Sequence, residues 1–489
     1  MKFNLGSKVK KMIQNWLDIT PASEQSFSLT ETMTFNTEVL RSQLWYRGDA
    51  DELYQFFSQV SRHGKKTAFW ESVPVGEEIR KIHSGVPSII ADTLAYIVSS
   101  DLDDITTTRT EWEQICKEID FPEIVKQAVV DTLVDGDGAF KISVDEDISK
   151  YPIVEFVGAD RVEYEYNRGI VTAVIFRTIY TVKSKRYVLE ERYSKGRIES
   201  KLLDDNGNEK PLDTIPELEG ISENVTFSGD YIMAVPLRFF KNKKYSSRGK
   251  SIFDGGKSDC FDALDEVVSQ WWDALRDGRV KQYIPESMIP RDPKTGAPGK
   301  INRFGNRYIS TSVPLQEGVS QKIEVVQPDI KYEAFLSSYT NALLMCLQGL
   351  VSPATLGIDV GKMSSADAQR EKKDVTGNTR NTITSALEKT LPKVVEAVLK
   401  TYDNMNGNAP SDCGEIIVSF GEYGAPDFDS RVETVGKGAT YGIMSVETQV
   451  DELWGSSKDD DWKSGEVARI KTEKGLLDGG ELSVGDELA

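Results

Sequence analysis

Residues 257–350 constrain this chain more than any other stretch. Phe261, Leu264, Val268, Trp271 and Leu275 recur at steps of three and four, which puts them on one face of a helix over residues 257–276. At ~1.5 Å rise per residue that helix is about 30 Å long. Asp262, Glu266 and Asp273 fall on another face and form an acidic stripe. A second helix is expected over 331–350, with Tyr332, Phe335, Leu336, Tyr339, Leu343 and Leu347 on one side. Between the two, residues 277–329 carry Pro285, Pro290, Pro293 and Pro298 and short strand-like runs at 307–311 and 322–326. Eight basic against six acidic residues leave this insertion locally +2. A chain that interrupts two long helices with a small β-rich insertion is not a purely β protein.

The flanking segments mix helix and strand, so the expected class is α+β. Residues 1–30 suggest a short amphipathic helix through Leu5, Val9, Ile13 and Trp16, followed by a polar linker. Such a helix serves either as a docking arm or as a helix packed on its own domain. Residues 31–135 read as helical, with Pro87 in the first turn of one helix. From 136 to 245 the period changes to two. Ile170 to Val182 is rich in β-branched and aromatic residues, and Asp205-Asn206-Gly207-Asn208 is a strong turn signal. An antiparallel meander follows from that pattern. Residues 351–365 are marked by Gly, Ser and Pro; a long helix then runs to about Tyr402, with Pro392 expected to kink it or mark a break. Residues 415–420 look like one isolated strand. From Gly421 onward sixteen acidic and seven basic residues give -9, with helices expected at 431–441, 445–454 and 463–474.

Composition excludes several classes. With 489 residues, the prior is about three domains. No run of about eighteen apolar residues exists, so no membrane-spanning helix is expected. The basic N-terminus lacks an apolar core and does not read as a signal peptide. The net charge of -19 opposes free-standing binding to DNA. Cys116, Cys260, Cys346 and Cys413 are scattered, which argues against a zinc site or a secreted disulfide framework and suits a reducing cytoplasm. His63 and His83 are the only histidines, so a histidine-based triad or metal site has few candidates.

The motifs that could carry chemistry fail on spacing. Gly249-Lys250-Ser251 and Gly256-Lys257-Ser258 end like phosphate-binding loops, but Lys244 and Ser251 stand where the first glycine is required. Asp135-Gly136-Asp137-Gly138 begins like a calcium loop, but Phe140 occupies the position that demands glycine. His83, Ser84 and Asp92 evoke a triad, yet adjacent residues do not present a nucleophile to its base. His83 reads as a capping or core histidine. Asp459-Asp460-Asp461 reads as a solvated acidic run. No catalytic residue, cofactor site or metal site is expected.

The order of elements resembles the portal proteins of long-tailed double-stranded DNA bacteriophages, and several stretches are similar residue by residue. Arg80-Lys81-Ile82-His83-Ser84-Gly85-Val86-Pro87, running into Asp92-Thr93-Leu94, is like their entry into the N-terminal helices. Val134-Asp135-Gly136-Asp137-Gly138-Ala139-Phe140 and Gly158-Ala159-Asp160-Arg161-Val162 resemble a strand pair of the family, with Gly158 in place of the usual proline. Gly249-Lys250-Ser251-Ile252-Phe253 resembles the approach to their stem. Tyr441-Gly442-Ile443-Met444-Ser445-Val446-Glu447-Thr448, with Glu466-Val467-Ala468-Arg469-Ile470-Lys471-Thr472-Glu473, resembles their tail region. These stretches lie in the family's order between about Leu40 and Glu473.

The resemblance implies a portal-type fold: wing 1–256, completed by a strand at 415–420; stem helices 257–276 and 330–350; clip 277–329; channel loop 351–365; a long kinked helix 366–405; and an acidic crown 428–489. It implies a homo-oligomeric ring of about twelve copies at one capsid vertex, with double-stranded DNA in its channel. The implied partners are the terminase large subunit, the major capsid and scaffold proteins and a head-completion or adaptor protein. The implied setting is the virion, and the host cytoplasm during assembly. Basic channel walls would trap DNA through phosphate contacts; Asp262, Glu266 and Asp273 would instead keep it sliding, while the apolar face of the same helix packs on neighbouring copies. Lys362, Arg370, Lys372 and Lys373 are candidates for transient phosphate contact, or pair with Asp367, Glu371 and Asp374 along one helix. Gly357, Asp359, Gly361 and Met363 mark the channel loop. Two other readings are a polysaccharide hydrolase or lyase, which needs paired acids of perturbed pKa in a cleft, and another phage tail or baseplate component. The helix, insertion, helix pattern disfavours both.

Overall fold

The computed structural model describes residues 33–61, 68–71, 79–285, 296, 308–311, 324–358, 366–421, 428–455 and 458–475. The N-terminal amphipathic stretch lies outside the described residues. The described chain forms two compact units, one of residues up to 419 without 101–103, the other of 101–103 and 420 onward.

Among the described residues, the first unit begins with five helices: α1 (Phe35–Arg47), α2 (Ala50–Ser61), α3 (Val86–Ser100), α4 (Glu111–Glu118) and α5 (Phe121–Asp135). Thr34 caps α1 by accepting from the Thr37 N–H, and Gly48 ends it at φ 69°. Pro122 sits in the first turn of α5, where its missing N–H costs nothing. Trp45, Ile90, Leu94, Ile115, Phe121, Val129 and Leu133 form their shared core. Gly136 ends α5 at φ 100°. A methyl group on Gly249 would meet the Gly136 carbonyl, so two backbones touch there and only glycine fits. The calcium-loop-like run is thus a turn leading from α5 into a strand.

That strand, β1 (Asp137–Ser143), lies between β2 (Ile153–Gly158) and β9 (Ala234–Arg238) in an antiparallel sheet, with Phe140 opposite Phe156 and Val235. The expected meander is the second sheet: β3 (Val162–Asn167), β4 (Ile170–Val182), β5 (Lys185–Ser194), β6 (Arg197–Asp204) and β7 (Glu209–Lys210), in that order, with β8 (Asn224–Thr226) also on β6. Asp204 closes the expected turn by accepting from the Asn206 and Asn208 N–H groups. One face of this sheet buries Leu189 and Leu202 under Leu212, Ile215 and Leu218. Arg177 links Glu163 to Glu190, and Arg192 links Glu165 to Glu199, across neighbouring strands.

Helix α6 (Lys257–Asp277) follows Gly255 and Gly256, both at positive φ. A three-stranded sheet then runs β11 (Tyr308–Thr311), β10 (Lys281–Pro285), β12 (Glu324–Val326), with β10 parallel to β11 and antiparallel to β12. Two of these strands match the expected runs; β10 was not legible, because Lys281-Gln282-Tyr283-Ile284-Pro285 has one clear alternation only. Helix α7 (Tyr332–Leu347) returns, and α8 (Ala366–Met405) extends for 40 residues. Helix α8 runs through Pro392 rather than breaking there. Leu391, Val394, Val395 and Val398 around it are fully buried, so packing holds the turn that the proline weakens. The segment 415–420 is not a strand that completes a sheet. It makes isolated bridges only, Thr106 with Ile417 and Leu102 with Phe420.

The second unit contains α9 (Phe428–Thr440), α10 (Val446–Trp454) and α11 (Asp460–Glu473), as expected to within a few residues. Ser445 and Asp459 cap α10 and α11 with side-chain oxygens. Val435, Val446 and Val450 are its buried centre, and Trp454 meets Trp462 edge to face. Among the described residues, no helix is long and apolar enough to cross a membrane.

Candidate functional site

Helices α6 and α7 form an antiparallel hairpin, and the small sheet lies between them in the chain. Lys257, in the first turn of α6, donates to the carbonyls of Met345 and Gln348 at the end of α7, each at 2.7 Å. Fourteen residues further along, Trp271 stacks on Phe335 with centroids 6.3 Å apart and planes 6° from parallel, and also meets Tyr339. Phe261 and Leu264 of α6 and Leu343 and Leu347 of α7 are buried. The apolar face expected to meet neighbouring copies is thus largely covered by α7 of the same chain. Leu275 of that face stays open at 42%, together with a different set: Trp272 is 58% exposed, Tyr332 61%, Leu336 50% and Met345 56%.

The base of α6 is anchored to residues 69–70 and 82–84. The Asp262 carboxylate accepts from the Phe69 and Trp70 N–H groups at 2.7 and 3.1 Å, and burial raises its pKa. Asp265 is 0% exposed. It accepts from Trp70 Nε1 at 3.0 Å, from the Ser84 N–H at 2.8 Å and from His83 Nδ1 at 2.7 Å. Ser269 Oγ accepts from the Ile82 N–H at 2.9 Å. Lys81 donates to the Phe69 and Glu71 carbonyls and lies over the rings of Tyr54, Phe69 and Trp70; its desolvation lowers the ammonium's pKa. His83 is therefore a core histidine, held by Asp265 rather than by Asp92. Asp92 accepts from Tyr46 Oη at 2.8 Å instead. Asp265 was missed in the sequence because it sits on the helix face between the apolar and acidic stripes.

The expected channel residues fall in different settings. Asp262 does not stand on an open acidic stripe, since the 69–70 backbone covers it. Glu266 is exposed and accepts from Gln270. Asp273 is half-buried beside Arg80, Ile82, Ser269, Trp272 and Arg276, around a pocket of 230 Å³. Gly357, at φ 67°, ends the short 3₁₀ turn Pro353–Leu356. Asp359, Gly361, Lys362 and Met363 lie outside the described residues. Arg370, Lys372 and Lys373 are on α8, with side chains outside the described ones.

Carboxyl groups raised by burial do occur elsewhere. Asp131 is raised by desolvation. Asp135, next to it on α5, is raised to about 8, chiefly by burial, while Gln43 donates to both its oxygens. Neither lines the grooves of 690, 550 and 540 Å³ that open on this unit. Among the described residues, no group of three or more His, Cys, Asp or Glu is placed to hold a metal ion. Asp135 does carry a pH signature. Its folded pKa exceeds the unfolded one, so the native state holds its proton more tightly. Its contribution to stability is fully present below about pH 4 and is lost as pH rises through about 8. Thermal melts over that window should show less decline in Asp135→Asn than in the parent chain; parallel slopes would disprove the assignment.

No family model matches the chain, and no curated protein matches it. Among solved structures, it is similar to a chain of the virion of a native gene transfer agent particle, at 10% identity and a TM-score of 0.38, covering 95% of this chain and 99% of that one. It is also similar to a chain from the neck of the native particle, computed with C12 symmetry, at 12% identity and a TM-score of 0.38, over 76% of this chain and 90% of that one. A chain from the neck of the empty particle, computed with C6 symmetry, is similar at 13% identity and the same TM-score, over 76% and 89%.

Proposed function

We propose that this chain is a portal protein, a structural ring subunit that surrounds double-stranded DNA at a capsid vertex. The observation that carries the reading is the hairpin α6, β10–β12, α7: two paired helices with a small sheet inserted between them in the chain, and large apolar side chains left open along them. Trp272, Leu275, Tyr332 and Leu336 have no role in their own chain that requires exposure, and a ring gives each of them a neighbour. The resemblance of the stretches at 80–94, 134–140, 158–162, 249–253 and 441–473 supports the same reading. In it, Glu266 and Asp273 face the channel and keep phosphates sliding. Asp262 serves the hairpin's anchor. Lys362, Arg370, Lys372 and Lys373, around the loop 351–365, make the transient phosphate contacts. The insertion 277–329 meets the packaging motor and later the head-completion protein.

The test is the mass of the purified chain in solution. Light scattering should give about twelve times the 54.6 kDa of one chain, and negative-stain images of that fraction should show a central hole. A chain that stays monomeric even with its capsid and scaffold partners present would refute the reading.

A further inference from the structure

The four cysteines are free thiols, and two of them lie on the paired helices α6 and α7 at the base of the hairpin. Cys260 lies one turn beyond Lys257 on α6. Cys346 lies between Met345 and Gln348, the two residues whose carbonyls hold Lys257. The antiparallel register fixed by these bonds and by the Trp271–Phe335 stack sets the two cysteines opposite each other. Both cysteines lie within electrostatic range of the Lys257 ammonium, and Cys260 within range of Cys346. Packed helices lie about 8–10 Å apart axis to axis, which brings facing Cα atoms toward the roughly 4.4–6.8 Å that a disulfide spans. The two differ in access: Cys260 is half-exposed and Cys346 fully buried. Burial also pushes the Cys346 thiol up to about 12, so Cys260 is the sulfur that an oxidant reaches first.

We propose that Cys260 and Cys346 are a disulfide site that fastens α6 to α7, closed by exchange with a small disulfide of the glutathione type. Cys260 thiolate attacks one sulfur of that disulfide, forming a mixed disulfide and releasing one thiolate, which takes up the proton Cys260 gave. Cys346, surrendering its proton, attacks the Cys260 sulfur, and the second small thiol leaves with that proton. The protein pair loses two electrons and two protons; the small disulfide gains both. Reducing cytoplasm keeps the pair open, and an oxidising medium closes it. The site does not depend on the ring reading, because a monomer would carry the same pair.

The test uses the full chain, reduced, freed of reductant and exposed to oxidised glutathione while folded. After denaturation, alkylation and mass spectrometry should count a fall from four free thiols to two, Cys116 and Cys413, with one cross-linked peptide pair containing Cys260 and Cys346. Cys346→Ser should stop at a lasting glutathione adduct on Cys260, and Cys260→Ser should leave Cys346 unmodified, both with the parent's circular dichroism. Four free thiols in the folded parent, or a stable adduct on Cys260 with Cys346 still alkylatable, would overturn the proposal; the parent measurement decides it even where a variant does not fold.

Discussion

Aspartate at both Trp272 and Leu336 should convert the proposed ring to single chains, a roughly twelvefold fall in mass by light scattering. Both side chains are at least half exposed in the lone chain, so the substitution removes nothing from its core. In a ring each aspartate would sit in an apolar contact without a partner, and burying an unpaired carboxylate costs several kcal/mol. That cost recurs at every interface around a closed ring. Ile148→Asp is the control: Ile148 is 74% exposed but lies far along the chain from the hairpin, between β1 and β2. It should leave the mass unchanged. Rings that persist in the double variant with unaltered mass would remove the hairpin from the interface.

Removing the Asp137 carboxylate should destabilise the first unit by about 3–5 kcal/mol, the usual cost of breaking a buried ion pair from one side. Asp137 is 1% exposed. Its oxygens accept from Arg248 Nε at 3.0 Å and Nη2 at 2.8 Å, from Tyr164 Oη at 3.2 Å and from the Gly249 N–H. Arg248 also donates to the Val162 and Ala159 carbonyls and lies over the Phe35 ring. In Asp137→Ala the guanidinium stays buried without its counter-charge and the Gly249 N–H loses its acceptor, while Tyr164 Oη keeps the Gly138 carbonyl at 2.8 Å. Arg248→Met added to that variant should recover a large part of the loss, since the uncompensated charge goes with it. Denaturant midpoints of the three chains decide the matter; a single variant within about 0.5 kcal/mol of the parent would show that the network does not hold this region.

The helices and the meander were legible because their periodicities are long and regular. The run Phe261 to Leu275 declares a helix face, and Ile170 to Val182 declares a strand. The partner of that helix face was not legible. Periodicity tells that Trp271 and Leu264 are covered, but not whether α7 of the same chain or another copy covers them. Asp262 illustrates the same gap. Its spacing from Glu266 and Asp273 is helical, yet the backbone of residues 69–70, almost two hundred positions earlier, takes it out of the stripe. His83 lacked a partner in the sequence for the same reason, because Asp265 reaches it through tertiary structure alone. The segment 415–420 has strand-like residues, but strands need a neighbouring edge, and only single bridges to 102 and 106 are within reach.

The anchor at the base of α6 has a mechanical consequence. Four backbone N–H groups, at residues 69, 70, 82 and 84, end on three side chains spaced along two turns of one helix. A pull along the helix axis loads these bonds side by side, in shear, so sliding by one turn requires all of them to break together. Smaller loads therefore produce no slip. The compliant point is instead the Gly255–Gly256 pair just before the helix, where both residues hold positive φ. Strain on the hairpin should appear as bending at that pair, and translation should come as an all-or-none step.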